Sequence, residues 1–234
     1  MKQFKAPLKK VSKLTENVWE FDFDYSKDPI DFQPGQFFMI DILDGNPEKA
    51  QRAYSTASAP SNKEFFTLCL KLIPGGRAST YFESLKVGDE CSFIGPYGRF
   101  ILEDSEKDIV MVATGTGIAP FMAMMPVLLE KGFNKPVTVY FGVAAEPDLF
   151  YLDILKKWEA EHDNFTVLIT LSKPEPGWKG LKGRVTPHLE EAPFDTGNTI
   201  IYLCGNGEMI KDVRELMIKR GISKEDIHFE QFWA

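Results

Sequence analysis

Hydrophobic and polar positions follow different rules in the two halves of this chain. Up to about Leu102 they change in short runs. Val18-Trp19-Glu20-Phe21-Asp22-Phe23 alternates apolar and acidic residues with period two, as a half-buried strand does. Gln36-Phe37-Phe38-Met39-Ile40-Asp41, Phe65-Phe66-Thr67-Leu68-Cys69-Leu70-Lys71 and Glu90-Cys91-Ser92-Phe93-Ile94 are further predicted strands. Between them lie Pro34-Gly35, Asp44-Gly45-Asn46-Pro47, Pro74-Gly75-Gly76 and Gly88-Asp89, all turn chemistry. One helix is predicted in this half, over Ser79–Leu85. Many short strands at close spacing predict an antiparallel β-barrel.

The period changes at Glu103-Asp104-Ser105-Glu106-Lys107, a charged stretch suited to a domain boundary. The expected division is therefore 1–103 and 104–234. Beyond it, Asp108–Ala113, Val137–Gly142, Phe165–Thr170 and Thr199–Cys204 read as buried strands that complete the set. Helical runs over Phe121–Lys131, Leu149–His162 and Met209–Arg220 alternate with them, and Gly221 stands at the C′ position of the last. Alternating strands and helices predict βαβ units and a Rossmann-like parallel sheet. No internal repeat or low-complexity tract interrupts the pattern.

Composition narrows the chemistry. The 234 residues are enough for two domains, each with its own core. A formal net charge of −7 argues against non-specific nucleic-acid binding, and Lys5, Lys9, Lys10 and Lys13 read as a solvated strand surface rather than a basic face. No apolar run approaches the ~20 residues of a membrane span, and the charged N-terminus has no apolar stretch after it, so the expected location is cytoplasmic. Three cysteines make no disulfide framework and fall short of the four thiolates of an all-cysteine iron–sulfur cluster. Any metal centre the chain serves is expected on another protein.

Five segments carry candidate chemistry. In Arg52-Ala53-Tyr54-Ser55, the arginine offers a fork of donors for phosphate oxygens, the tyrosine a flat face, and Ser55 a hydrogen bond. Gly75-Gly76-Arg77-Ala78-Ser79-Thr80 lies between a strand and a helix, where free N–H groups attract a phosphate; Ser79 or Thr80 could equally be an N-cap. Gly115-Thr116-Gly117-Ile118-Ala119-Pro120 follows the first parallel strand, and Pro120 suits the first helical turn. Cys204-Gly205-Asn206-Gly207 ends another parallel strand with a small, soft thiol. The last six residues, Phe229-Glu230-Gln231-Phe232-Trp233-Ala234, put a carboxylate beside aromatic rings that either pack in the core or cover a ligand.

In this order and spacing, the segments resemble the ferredoxin–NADP reductase family, particularly its bacterial ferredoxin and flavodoxin reductases. The resemblance covers roughly residues 5–234. Arg52-Ala53-Tyr54-Ser55 matches that family's RxYS flavin motif, and Gly76-Arg77-Ala78-Ser79 its GxxS pyrophosphate motif of FAD users. The resemblance implies FAD contacts at these residues, at Leu70, Lys71 and Leu72, and at Phe232 and Trp233. It implies NAD(P) contacts at Gly115, Thr116, Gly117, Ile118, Pro120, Gly142, Cys204, Gly205, Asn206 and Met209. Ser172, Lys173 and Arg184 stand where NADP-specific relatives hold the 2′-phosphate, whereas Ala144-Ala145-Glu146 stands where bacterial relatives often add an arginine. NADP is thus weakly favoured over NAD.

The implied activity is hydride transfer between NAD(P)H and FAD, with single electrons passed to or from ferredoxin or flavodoxin. Ser55, Cys204 and Glu230 are the implied catalytic residues. No ferredoxin domain or cysteine quartet is present, so a stand-alone reductase is expected. The alternatives are an NADH-dependent component serving an oxygenase or cytochrome, and a non-catalytic flavin-binding subunit.

Overall fold

The computed structural model describes residues 2–232. They form two compact units. The first comprises residues up to Leu102 together with Ala119–Gly132, and the second Glu103–Ile118 together with the residues from Phe133 onward.

Six antiparallel strands make the first unit: β1 (Lys2–Lys13), β2 (Val18–Asp24), β3 (Phe37–Ile42), β4 (Ala50–Ser55), β5 (Phe65–Lys71) and β6 (Glu90–Tyr97), in the order β4-β3-β6-β1-β2-β5. The edge strands β4 and β5 meet through one bridge, Thr56 with Leu68, beside a 2.8 Å bond from the Ala57 N–H to the Thr67 carbonyl. The expected barrel is therefore a six-stranded sheet joined at one point. No further bridge joins β4 and β5 among the described residues.

Alternation sends Phe4, Ala6 and Leu8 of β1, Phe21 and Phe23 of β2, and Phe38, Ile40 and Ile42 of β3 into one core. Phe66 is its hub: its ring lies 5.0 Å from Phe38, 5.1 Å from Phe93, 5.5 Å from Tyr25 and 5.6 Å from Phe23. The lysines of β1 face outward, as expected. Lys5 pairs with Glu90 at 2.7 Å, Lys9 with Glu64 at 3.4 Å and Lys13 with Glu16 at 3.1 Å. Such exposed pairs contribute little stability, but they cancel the positive face.

Helix α1 (Arg77–Ser84) follows β5 and begins two residues before the predicted start. Helix α2 (Ala119–Glu130) packs with this unit too, Phe121 lying 6.0 Å from Phe100. Gly35, at φ +96°, makes that packing possible, because a Cβ there would fall 2.0 Å from the Phe100 carbonyl oxygen and 2.6 Å from Met124 Cε.

The second unit is a parallel sheet of β7 (Asp108–Thr114), β8 (Val137–Val143), β9 (Phe165–Leu171), β10 (Leu181–Lys182), β11 (Thr199–Gly205) and β12 (Ile227–Gln231), in the order β10-β9-β8-β7-β11-β12. From β7 the chain winds outward through β8 and β9, then returns to the other side of β7 at β11. That reversal is where open α/β sheets bind ligands. Two strands exceed the expected set. β10 has two residues, and β12, with only Ile227 fully buried, shows no strong alternation.

Helix α3 (Leu152–Glu161) starts later than the expected Leu149, because Tyr151 takes a left-handed conformation at φ 59° while Phe150 turns inward against Phe141 at 5.4 Å. Helix α4 (Val185–Glu190) is too short to show a period. Helix α5 (Gly207–Arg220) ends at Gly221, whose φ of 101° is the left-handed cap expected there. Among the described residues no helix is long and apolar enough to cross a membrane.

Replacing Phe66 by Ala should cost about 3–5 kcal/mol, since it empties the ring cluster at its centre. Chemical unfolding followed by near-UV circular dichroism measures this; a loss under about 1 kcal/mol would show that the cluster repacks.

Candidate functional site

In the first unit, the Arg52–Ser55 segment is the last part of edge strand β4, paired on one side with β3 in the register Phe38↔Tyr54 and Phe37↔Ser55. Arg52 is exposed, its Nη1 donating 2.8 Å to the Gln51 carbonyl, and Ala53 is exposed beside it. Tyr54 is half-buried, edge-on to Phe82 at 5.3 Å, and burial pushes its hydroxyl up to about 12, so it stays protonated. Ser55 is buried at the strand end. Continuing the antiparallel register from the Thr56–Leu68 bridge sets Tyr54 against Leu70 and Arg52 against Leu72 across the open seam. Leu70 and Leu72 are buried and Lys71 is exposed. The edges of β4 and β5 thus present predicted flavin residues to one gap.

Gly76 caps α1, and no side chain there accepts from its first turn. The backbone donors of the first turn are left for an anion. A side chain at 76 would meet the Ile73 carbonyl at 3.0 Å and Ser79 Oγ at 3.2 Å. Ser79 is not the cap: its Oγ accepts from the Ile73 N–H at 2.7 Å and so closes the turn. Ala78 is half-buried. The Arg77 side chain is turned away from the helix end, toward Asp44 and the Glu48 carbonyl.

In the second unit, the loop after β7 is a single 3₁₀ turn, Gly115–Ile118, running into α2, where Pro120 is the second residue. Gly115 has φ +55° with open space around it, and Thr116 is half-buried. Gly117 lies against the end of β11; a Cβ would sit 2.3 Å from the Cys204 carbonyl oxygen. Gly205, at φ +129°, approaches Thr114 as closely, a Cβ there falling 2.4 Å from its Oγ1. Thr114 Oγ1 also accepts from the Asn206 N–H at 3.0 Å.

The Asn206 side chain caps α5, accepting from the N–H groups of Glu208 at 2.9 Å and Met209 at 3.3 Å. Its oxygen is therefore committed to the fold. Cys204 is fully buried and stands in register with Glu230 of β12. Burial first, and the Glu230 charge second, raise its thiol well above the ordinary range, so it is a neutral thiol. Phe232 follows β12, its N–H donating 2.9 Å to the Gly205 carbonyl; Trp233 lies outside the described residues. Phe229 is 45% exposed and lies 5.0 Å from the Arg214 guanidinium, which removes it from the core role open to it in the sequence.

Gly142, the penultimate residue of β8, lies beside Thr114 and Thr170. Ser172 and Lys173 follow β9, their N–H groups donating to the Val143 and Ala144 carbonyls at 3.1 and 2.7 Å. The β9–β10 register pairs Leu171 with Lys182, and the Gly183 N–H reaches the Leu171 carbonyl at 2.8 Å. Residues 172–173 and Arg184 therefore leave the sheet at neighbouring positions. Arg184 is exposed and 3.7 Å from Glu208, while Glu146 accepts from the Glu175 N–H at 3.3 Å. Sequence reading missed Thr56, Thr114 and Asp44; only Asp44, within a turn cluster, left any local mark.

Residues 5–101 match the family described as oxidoreductase FAD-binding domain, and residues 111–215 that described as oxidoreductase NAD-binding domain. The toluate 1,2-dioxygenase electron transfer component of Pseudomonas putida is 32% identical over 99% of this chain and 68% of its own. Ferredoxin–NADP reductase B of Sorangium cellulosum (strain So ce56) is 30% identical over 98% of this chain and 97% of its own. This chain belongs to the ferredoxin–NADP reductase family.

Solved structures agree on the fold of this ferredoxin reductase-type oxidoreductase. The Neisseria gonorrhoeae ferredoxin NADP+ reductase with bound FAD and NADP superposes with a TM-score of 0.87 at 22% identity, covering 100% of both chains. Amycolatopsis cytochrome P450 reductase GcoB gives 0.91 at 25% identity over 99% of this chain and 70% of its own. The residues fit the cofactors that the family carries. The open seam and uncapped α1 suit a flavin with a diphosphate. The glycines that let the β7 and β11 loops touch leave backbone, not side chain, at the sheet's C-terminal edge.

Two predictions follow for this reductase. Gly117→Ala should weaken pyridine-nucleotide binding at least about tenfold while flavin content is retained, read from flavin reduction against nucleotide concentration. Intact affinity would mean that the loop yields without cost. All three cysteines are buried. A thiol reagent at pH 8 should therefore titrate three thiols only after denaturation, and a fast-reacting Cys204 in the native protein would contradict the burial-raised thiol.

Proposed function

We propose that this flavin- and nicotinamide-nucleotide-binding oxidoreductase is a reductase that exchanges single electrons with ferredoxin, flavodoxin or a similar protein in the cytoplasm. The flavin domain is 1–103 and the nucleotide domain 104–234. The reading is carried by the flavin-edge residues of β4 and β5 occurring with the glycine-built edge of β7 and β11 in one chain. The similarity to Sorangium ferredoxin–NADP reductase B over nearly both lengths supports it.

Bound flavin supplies the chemistry that accepts a hydride and releases electrons one at a time. The protein supplies placement. Arg52 and the first-turn N–H groups of α1 would neutralise the diphosphate, and Tyr54, held edge-on by Phe82, would cover one ring face. Ser55, at the buried end of β4, would be the residue that offers a hydroxyl to flavin N5. In the nucleotide half, the uncharged Cys204 gives an apolar surface for the nicotinamide, and Glu230 beside it provides the local carboxylate. Phe232 would cover the remaining flavin face or its adenine.

The 2′-phosphate of NADP would be held by Ser172, Lys173 and Arg184, which leave neighbouring strands at one edge. Glu146 and Glu208 lie near these residues in the fold and oppose a second phosphate charge. That opposition favours a second reading, an NADH-dependent component serving an oxygenase, in line with the toluate dioxygenase relative.

Anaerobic titration of the visible spectrum with NADH and NADPH separately decides between them. NADPH preference supports the first reading and NADH preference the second; a flavin bleached by neither sinks both. Ser55→Ala should retain FAD but slow flavin reduction about 10- to 100-fold, or ~1.4–2.7 kcal/mol. An unchanged rate in stopped flow would remove Ser55 from the mechanism.

A further inference from the structure

Arg77 opens α1 inside the GxxS segment, yet its guanidinium is spent elsewhere. Nη2 donates to Asp44 Oδ1 at 3.0 Å and to the Glu48 carbonyl, while Nε donates to Asp44 Oδ2. This is a fork-to-fork pair with a third bond, the geometry in which arginine differs most from lysine. Both side chains are largely withdrawn from water, at 25% and 18% exposure. Asp44 also accepts from the Asn46 N–H at 3.2 Å, and Asn46 in turn accepts from the Glu48 N–H at 2.9 Å. The loop between β3 and β4 is therefore organised around one carboxylate, and that carboxylate is anchored by the helix that starts the other flavin motif. Arg77 holds the Asp44 carboxyl down at about 2, so the pair is intact throughout the neutral range and would open only in strong acid.

We propose that Arg77 and Asp44 form a latch that fixes the 43–49 loop to the start of α1 and so retards release of FAD, with Arg77 acting as a positioning residue rather than as a direct phosphate ligand. The loop leads straight into β4, which carries Arg52, Tyr54 and Ser55. Tyr54 itself packs on Phe82 of the same helix. One ion pair and one ring contact thus set the spacing between the two halves of the flavin grip. The proposal rests on the flavin reading of both motifs.

The two roles for Arg77 give opposite results in Asp44→Asn. If the guanidinium were a phosphate ligand, removing a competing carboxylate would strengthen FAD binding or leave it unchanged. If the pair is a latch, FAD should dissociate about tenfold faster. Asp44→Glu, which restores the charge, should return the rate to within about threefold of the starting protein. Trypsin cleavage at the exposed Lys49 should be accelerated in Asp44→Asn even without flavin, and Arg77→Gln should reproduce both effects if Asp44→Asn fails to fold. An FAD dissociation rate in Asp44→Asn within twofold of the starting protein, or slower, overturns the latch. The outcomes separate cleanly from the underlying reading: unsubstituted protein that takes up no FAD refutes the flavin assignment, whereas unchanged trypsin cleavage in the variant refutes the loop anchoring.

Discussion

Two backbones touch where the loop after β7 meets the end of β11, and the C-terminal edge of the parallel sheet is built around that touch. Neither side tolerates a side chain. Gly117 sits under the Cys204 carbonyl and Gly205 against Thr114. Thr114 converts the approach into a bond by accepting from Asn206, and Asn206 then caps α5. The same junction fixes Cys204 in register with Glu230 and draws the Phe232 N–H to Gly205. Without the two glycines the strands could form, but a methyl group at either position would fall 2.3 Å from the Cys204 carbonyl oxygen or 2.4 Å from Thr114 Oγ1, and the junction would be forced apart.

The flavin half solves the opposite problem. Its core of phenylalanines is fully satisfied, and the incompleteness is confined to the seam between β4 and β5. A sheet edge left unpaired is usually a liability. Here the edge residues are largely those that a flavin would use, and the loop preceding β4 is held in place by charge rather than by strand pairing.

Much of this was legible in the sequence for a physical reason. Period-two alternation in β2, and the glycine turns after β5, β7 and β11, are local signals whose meaning does not depend on what packs against them. The features that escaped are those set by distance. β12 alternates apolar and polar over only Ile227-His228-Phe229-Glu230, too short a run to mark a strand without its pairing to β11. The helix expected from Leu149 fails at Tyr151 because Phe150 is drawn toward Phe141. Ser79 could serve as a cap on local grounds, and only the fold shows its oxygen turned to Ile73. The Arg77–Asp44 pair spans 33 positions, and nothing near either residue announces the other.

Helix α2 belongs by packing with the barrel, although it is strung between two strands of the parallel sheet. The unit that holds the barrel is consequently not a single continuous stretch of sequence. A recombinant that exchanged everything after residue 103 for the corresponding part of a relative would set a foreign helix against Phe100 and Gly35 of the first unit. Evolution by exchange of that stretch is thereby constrained: the donor must bring compatible side chains at the positions of Phe121 and Met124.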